Sequence, residues 1–92
     1  TEFVLYQNYP NPFNPSTIIS YSIPNVSNVS LKIYDVLGRE VKSLVNSEQG
    51  IGIHNVQWNG DNNFGSKVSS GIYLYKIEAG DFVMTKKMLL IK

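Results

Sequence analysis

Side chains able to do chemistry are few and scattered along this chain. The single histidine, His54, falls in register with Val56 and Trp58, so alternation places it on an apolar strand face, as a packed and partly buried imidazole. No second residue stands at triad or ligand spacing to it. Serines are many, but no Gly-x-Ser-x-Gly elbow frames one as a nucleophile. The acids Glu2, Asp35, Glu40, Glu48, Asp61, Glu78 and Asp81 fall at loops and strand ends and are not paired. With no cysteine, thiol catalysis, cysteine-held zinc and disulfides are excluded. Asp61-Asn62-Asn63-Phe64-Gly65 has the composition of a calcium loop. It lacks glycine at the sixth position and glutamate at the twelfth, so turn chemistry accounts for it better. Asn25-Val26-Ser27 and Asn28-Val29-Ser30 are formal glycosylation sequons that turn formation also explains. Trp58 and the tyrosines raise the alternative of a carbohydrate-binding surface. Trp58 in phase with Val56 reads as sandwich core, which leaves Tyr34 as the exposed aromatic. The expectation is a protein that is not an enzyme, with no cofactor, no metal and no small-molecule substrate.

The most constrained stretch is Tyr9-Pro10-Asn11-Pro12-Phe13-Asn14-Pro15. Each proline fixes φ, removes a backbone donor and biases the residue before it toward extended geometry. The stretch can be neither helix nor interior strand. It reads as an extended ribbon laid on a sheet edge, with Tyr9, Pro10, Pro12, Phe13 and Pro15 forming a structural clasp and the two rings packing against the sandwich.

The remainder alternates with period two and shows no helical period. Strands are expected at Phe3–Tyr6, Thr17–Ile23, Val29–Asp35, Glu40–Val45, Ile53–Trp58, Ile72–Ala79 and Phe82–Ile91, with a polar loop over Asn46–Gly52. Seven short strands with short connections predict an all-β, antiparallel immunoglobulin- or fibronectin-like sandwich. At 92 residues the chain is one domain, burying about 60–65% of the surface its unfolded form exposes. A net charge of +1 gives no reason to expect nucleic acid or an anionic membrane as partner. No apolar run approaches the roughly 20 residues that span a bilayer as a helix.

The last hairpin can be registered residue by residue. A two-residue Gly80-Asp81 turn, of type I′ or II′, pairs Ala79 with Phe82, Ile77 with Met84, Tyr75 with Lys86 and Tyr73 with Met88. That face is assigned to the core. The opposite face carries Ile72, Leu74, Leu89 and Ile91 around Lys87, an outward apolar patch in need of a partner or a cover. Ile72, Leu74, Lys87, Leu89 and Ile91 are the candidate partner-binding residues. The alternatives are that the Phe3–Tyr6 strand or a second copy of the chain covers them.

Several strings match one family in that family's own order. They are Phe3 to Pro15, then Gly38-Arg39-Glu40-Val41, Trp58-Asn59-Gly60, Ser70-Gly71-Ile72-Tyr73 and Lys86 to Lys92. Together they resemble the type A C-terminal sorting domain of the type IX secretion system, which is similar to the immunoglobulin-like domain of flagellar hook-capping proteins. Asn59 stands where that family often has Asp. The resemblance implies a non-enzymatic address label at the end of secreted cargo. It further implies recognition by an outer-membrane translocon after passage through the periplasm, then removal by a sortase-like peptidase that cuts upstream of Thr1, leaving the cargo at the cell surface or released. It also implies that Lys92 is the natural end of the cargo.

Overall fold

The computed structural model describes residues 2–91, so the expectations placed on Thr1 and Lys92 lie outside the described residues. Seven strands form: β1 (Val4–Leu5), β2 (Thr17–Ile23), β3 (Ser27–Tyr34), β4 (Glu40–Gln49), β5 (Gly52–Trp58), β6 (Gly71–Ala79) and β7 (Phe82–Leu90). They make a three-stranded sheet, order β1-β2-β5, and a four-stranded sheet, order β4-β3-β6-β7, with every pairing antiparallel. This is the expected all-β sandwich.

Alternation builds the core. Ile19, Tyr21 and Ile23 of β2 face Val29, Leu31 and Ile33 of β3 and Tyr73, Tyr75, Ile77 and Ala79 of β6, all buried. Each fully buried large apolar side chain contributes about 1.5–3 kcal/mol. Trp58 is completely buried, as its phase with Val56 predicts. Its ring meets Tyr73 edge-on at 5.4 Å and Phe13 at 5.6 Å, and its indole N–H donates to the Asp61 carbonyl at 2.9 Å. His54 is half-buried, stacked on Tyr21 at 5.3 Å.

Four local expectations need correcting. First, β4 continues to Gln49 through the expected loop, because it pairs with β3 as far as Ser27. Two bulges insert Val41 and Leu44 into β4 against β3. That breaks its alternation and leaves Val41 to Val45 uniformly half-buried. Second, the β6–β7 hairpin has the predicted register throughout, yet Met84 is 41% exposed. The facing sheet ends at β1, only two residues long, so no strand covers the hairpin tip, where Phe3 stacks on Phe82 instead. Third, Tyr34 is half-buried, and the exposed aromatics among the described residues are Tyr6 at 43%, Tyr9 at 80% and Phe64 at 92%. Fourth, the proline ribbon is not extended. It bends on either side of Phe13 because it is tied to both sheets, and the Tyr9–Pro10, Asn11–Pro12 and Asn14–Pro15 peptide bonds are cis.

Two glycines answer to different demands. Gly80 has φ 59° in the two-residue turn, and among the described residues no non-glycine has positive φ, Asp81 included, which makes the turn type II′. A Cβ there would meet open space. Gly60 has φ 70°, and a Cβ on it would sit 3.2 Å from the Pro15 carbonyl oxygen and 3.5 Å from Leu90. Gly80→Ala is expected to cost about 1–2 kcal/mol from the left-handed backbone alone. Gly60→Ala should cost more, because its Cβ also crowds the Pro15 carbonyl. Urea unfolding of the two variants checks the order; equal losses would mean that the Gly60–Pro15 approach carries no weight.

Candidate docking surface

The ribbon joins the two sheets. Tyr9 exchanges both backbone hydrogen bonds with Ile18 of β2 (3.0 and 2.9 Å). Four residues later the Phe13 N–H donates to the Leu89 carbonyl (3.0 Å), and the Ile91 N–H donates to the Phe13 carbonyl (2.9 Å). Between these anchors the side chain of Asn11 accepts the Leu89 N–H at 3.0 Å, and ahead of them Gln7 Nε2 donates to the Lys87 carbonyl at 2.9 Å. The C-terminal half of β7 therefore has its edge satisfied by a segment that donates few bonds of its own.

Phe13 is 2% exposed and packs on Trp58, as the clasp requires. Tyr9 corrects that expectation: its ring lies in solvent, and it holds the ribbon through its backbone alone. Pro10 contributes its carbonyl, which accepts from Asn8 Nδ2 (3.2 Å) and Thr17 Oγ1 (2.9 Å). Pro15 offers its carbonyl toward Gly60, and Pro12 is exposed.

Three residues that sequence reasoning missed complete the seat: Asn8, Thr17 and Tyr75. Asn8 is 2% exposed and Thr17 is 1% exposed. Asn8 Nδ2 donates to Thr17 Oγ1 at 3.0 Å. Tyr75 stands between two ribbon groups, its hydroxyl accepting the Asn8 N–H at 2.9 Å and donating to the Tyr6 carbonyl at 2.8 Å. Burial pushes the Tyr75 phenol up to about 12, against the opposing pull of the Asn8 N–H. The signal available in the sequence was a polar Asn-Tyr-Pro triplet, whose first member has no apolar role on a strand face.

The candidate partner-binding residues lie together on the outer face of the four-stranded sheet. Ile72 pairs with Leu89, and Leu74 with Lys87. Ile72 is 45% exposed and Ile91 48%; Leu89 and Lys87 are also exposed, and Leu74 is half-buried. Tyr34 lies across from Leu74 and extends the patch. Asn11, Ile72, Lys87, Met88 and Leu89 line a shallow groove of about 220 Å³. β1 does not cover this face, because it pairs with β2 in the other sheet. Lys32 is paired with Glu40 at 3.2 Å and Lys76 with Glu78 at 3.6 Å, whereas Lys87 has no acidic partner among the described residues. Among those residues no three His, Asp or Glu side chains gather as a metal site. Asp61 binds Lys42 at 3.2 Å, and Asn62 and Asn63 cap backbone groups of their own loop and of β4. The surface can bind by shape and apolar contact beside one cation.

Loss of the clasp should be read in stability. Asn8→Ala removes the bonds to Pro10 and Thr17 and is expected to cost about 1–3 kcal/mol, measured by urea unfolding. The raised Tyr75 phenol favours the fold fully below pH 10, the ordinary value, and that contribution is lost as pH rises toward about 12. Wild type should weaken across that window more than Tyr75→Phe; parallel curves would show that the phenol is not held in its neutral form by the fold.

The comparisons agree with this geometry. No curated protein sequence matches the chain. Among solved structures, dimeric latent PorU from Porphyromonas gingivalis contains a region similar to it, with TM-score 0.80 and 26% identity over 99% of this chain. PorZ of the same bacterium, an essential surface component of its type IX secretion system, matches at TM-score 0.63 and 21% identity over 96% of this chain. This chain spans only 10% of the PorU chain and 11% of the PorZ chain. A family model, the FlgD Ig-like domain, matches residues 15–81, and the chain belongs to that family of immunoglobulin-like domains.

Proposed function

We propose that this domain is a sorting label of the type IX secretion system, of the type A C-terminal class. It directs an attached cargo from the periplasm through the outer membrane and performs no catalysis itself. The observation that carries the reading is the correspondence of nearly the whole chain, at TM-score 0.80, with about a tenth of PorU. The same fold also recurs within PorZ, a surface component of that secretion system. The ordered strings from Phe3 to Pro15 through Lys86 to Ile91 support the finer assignment. On this reading the translocon docks on Ile72, Leu74, Lys87, Leu89 and Ile91, an apolar face of the β6–β7 hairpin beside Lys87, which has no acidic partner among the described residues. A sortase-like peptidase then cuts upstream of residue 1, and the cargo ends at the cell surface or is released.

A label needs a stable fold and one exposed face, and both can be tested at once. Residues 1–92 fused to the C-terminus of a periplasmic reporter should carry it to the surface of a bacterium that has the system; retention in the periplasm would reject the label. Leu89→Asp in the same fusion should abolish surface delivery. Because the Leu89 side chain is 37% exposed and its backbone bonds do not depend on it, the melting temperature should stay within a few degrees. Unfolding by Leu89→Asp would instead make Leu89 a structural residue.

A further inference from the structure

The sandwich has four sheet edges; two of them are blocked, and a third is covered over half its length. β7 is covered over its C-terminal half by the ribbon. β4 is bulged twice, carries Glu40, Lys42 and Glu48, and is met by Asn63, whose N–H donates to the Val41 carbonyl (2.9 Å) and whose Oδ1 accepts the Ser43 N–H (2.8 Å). β1 is only two residues long. Short edges, bulges, charges and covers are the devices that keep an edge from pairing with another chain. β5 has none of them. Gly52–Trp58 contains no proline and no Asp, Glu, Lys or Arg, and its register against β2 is unbroken from Thr17–Trp58 to Ile23–Gly52.

The direction of its backbone groups follows from β2. Ile18 and Ser20 spend their backbone bonds on Tyr9 and Tyr6. Neighbours in an antiparallel strand alternate sides, so Thr17, Ile19, Tyr21 and Ile23 bond to β5, where they face Trp58, Val56, His54 and Gly52. Ile53, Asn55 and Gln57 therefore turn their N–H and C=O groups to the open side, and no backbone bond from another described residue reaches them.

We propose that the β5 edge is a self-association site, pairing antiparallel with β5 of a second copy about a two-fold axis through Asn55. The three outward residues are evenly spaced around that axis. Asn55 then faces its own counterpart and Ile53 faces Gln57, with His54 opposite Val56, so every outward N–H and C=O finds a partner. A two-fold interface requires such a self-complementary patch. It also opposes no like charges, because the strand carries no Asp, Glu, Lys or Arg. The product is a continuous six-stranded sheet, β1-β2-β5 from each copy, with Ile53, 67% exposed in one copy, extending the contact on the outer face. The Ile72–Ile91 patch lies on the other sheet and stays free.

Sedimentation of residues 1–92 from micromolar to millimolar concentration reads the association directly. Wild type should form a dimer whose fraction rises with concentration. Asn55→Lys and Asn55→Glu should each be monomeric with an unchanged melting temperature, and an equimolar mixture of the two should regain the dimer. Hydrogen exchange of the wild type, which needs no variant, should show the Ile53, Asn55 and Gln57 amides slowing as concentration rises. A wild type that stays monomeric to millimolar concentration overturns the proposal. So does a dimer that survives both charges, or one that leaves those three amides fast, since either places the interface elsewhere.

Discussion

Everything in this domain depends on holding a ribbon that cannot hold itself. Proline removes backbone donors at three places between Asn8 and Ser16, so the segment cannot join a sheet by an ordinary ladder. Its attachment falls to a few strong points: the Tyr9–Ile18 backbone pair, the Phe13 ring on Trp58, and buried Asn8, whose backbone N–H donates to Tyr75 and whose side chain donates to Thr17. An unpaired polar group at such depth would cost about 1–3 kcal/mol, and among the described residues no buried side-chain polar atom is left without a partner. The network is therefore closed, and the ribbon has one seat.

That seat determines what β7 can do. With Leu89 and Ile91 bonded to Asn11 and Phe13, the strand is held flat against β6, and its outward residues are displayed without being an open pairing edge. Display and protection come from the same contacts. On the other side of the sheet the loop after β5 does a similar job for β4. Asn63 bonds to the backbone of its bulged segment and to Glu40, while the Trp58 indole holds Asp61 from inside. The two motifs most distinctive in the sequence, the prolines and the Trp58-Asn59-Gly60 turn, thus both act on the edges of the four-stranded sheet.

Much of this was legible before the structure. Period-two alternation identified β2, β3 and β6 as strands, and the Gly80-Asp81 turn gave the β6–β7 register residue for residue. What escaped notice has physical causes. Alternation says which face a side chain takes, not how far the opposite sheet reaches, so Met84 was assigned to a core that stops short of it. Bulges in β4 leave no trace in composition, and Asn46–Gln49 is polar throughout, so its unbroken pairing with β3 has no apolar alternation to betray it. Tyr9 and Phe13 are chemically alike and flank the same prolines; only the path of the ribbon decides that one is buried and the other solvated. Asn8 carried no periodic signal because its side chain bonds Thr17 and the Pro10 carbonyl, while its backbone N–H reaches Tyr75, 67 residues away. The outward patch could be named because it follows from register alone.

The central claim is that the ribbon acts by holding the fold and the outer face of β6–β7 acts by being recognised. The most direct measurement is surface delivery of a fused reporter plotted against unfolding free energy for a series of ribbon variants, among them Phe13→Leu, Phe13→Ala and Thr17→Val. The account predicts that these fall on one curve, delivery declining only as stability is lost, while substitutions at Ile72 and Ile91 fall below it at full stability. A ribbon variant as stable as the wild type that is no longer delivered would contradict the account and make the proline segment itself the recognised signal.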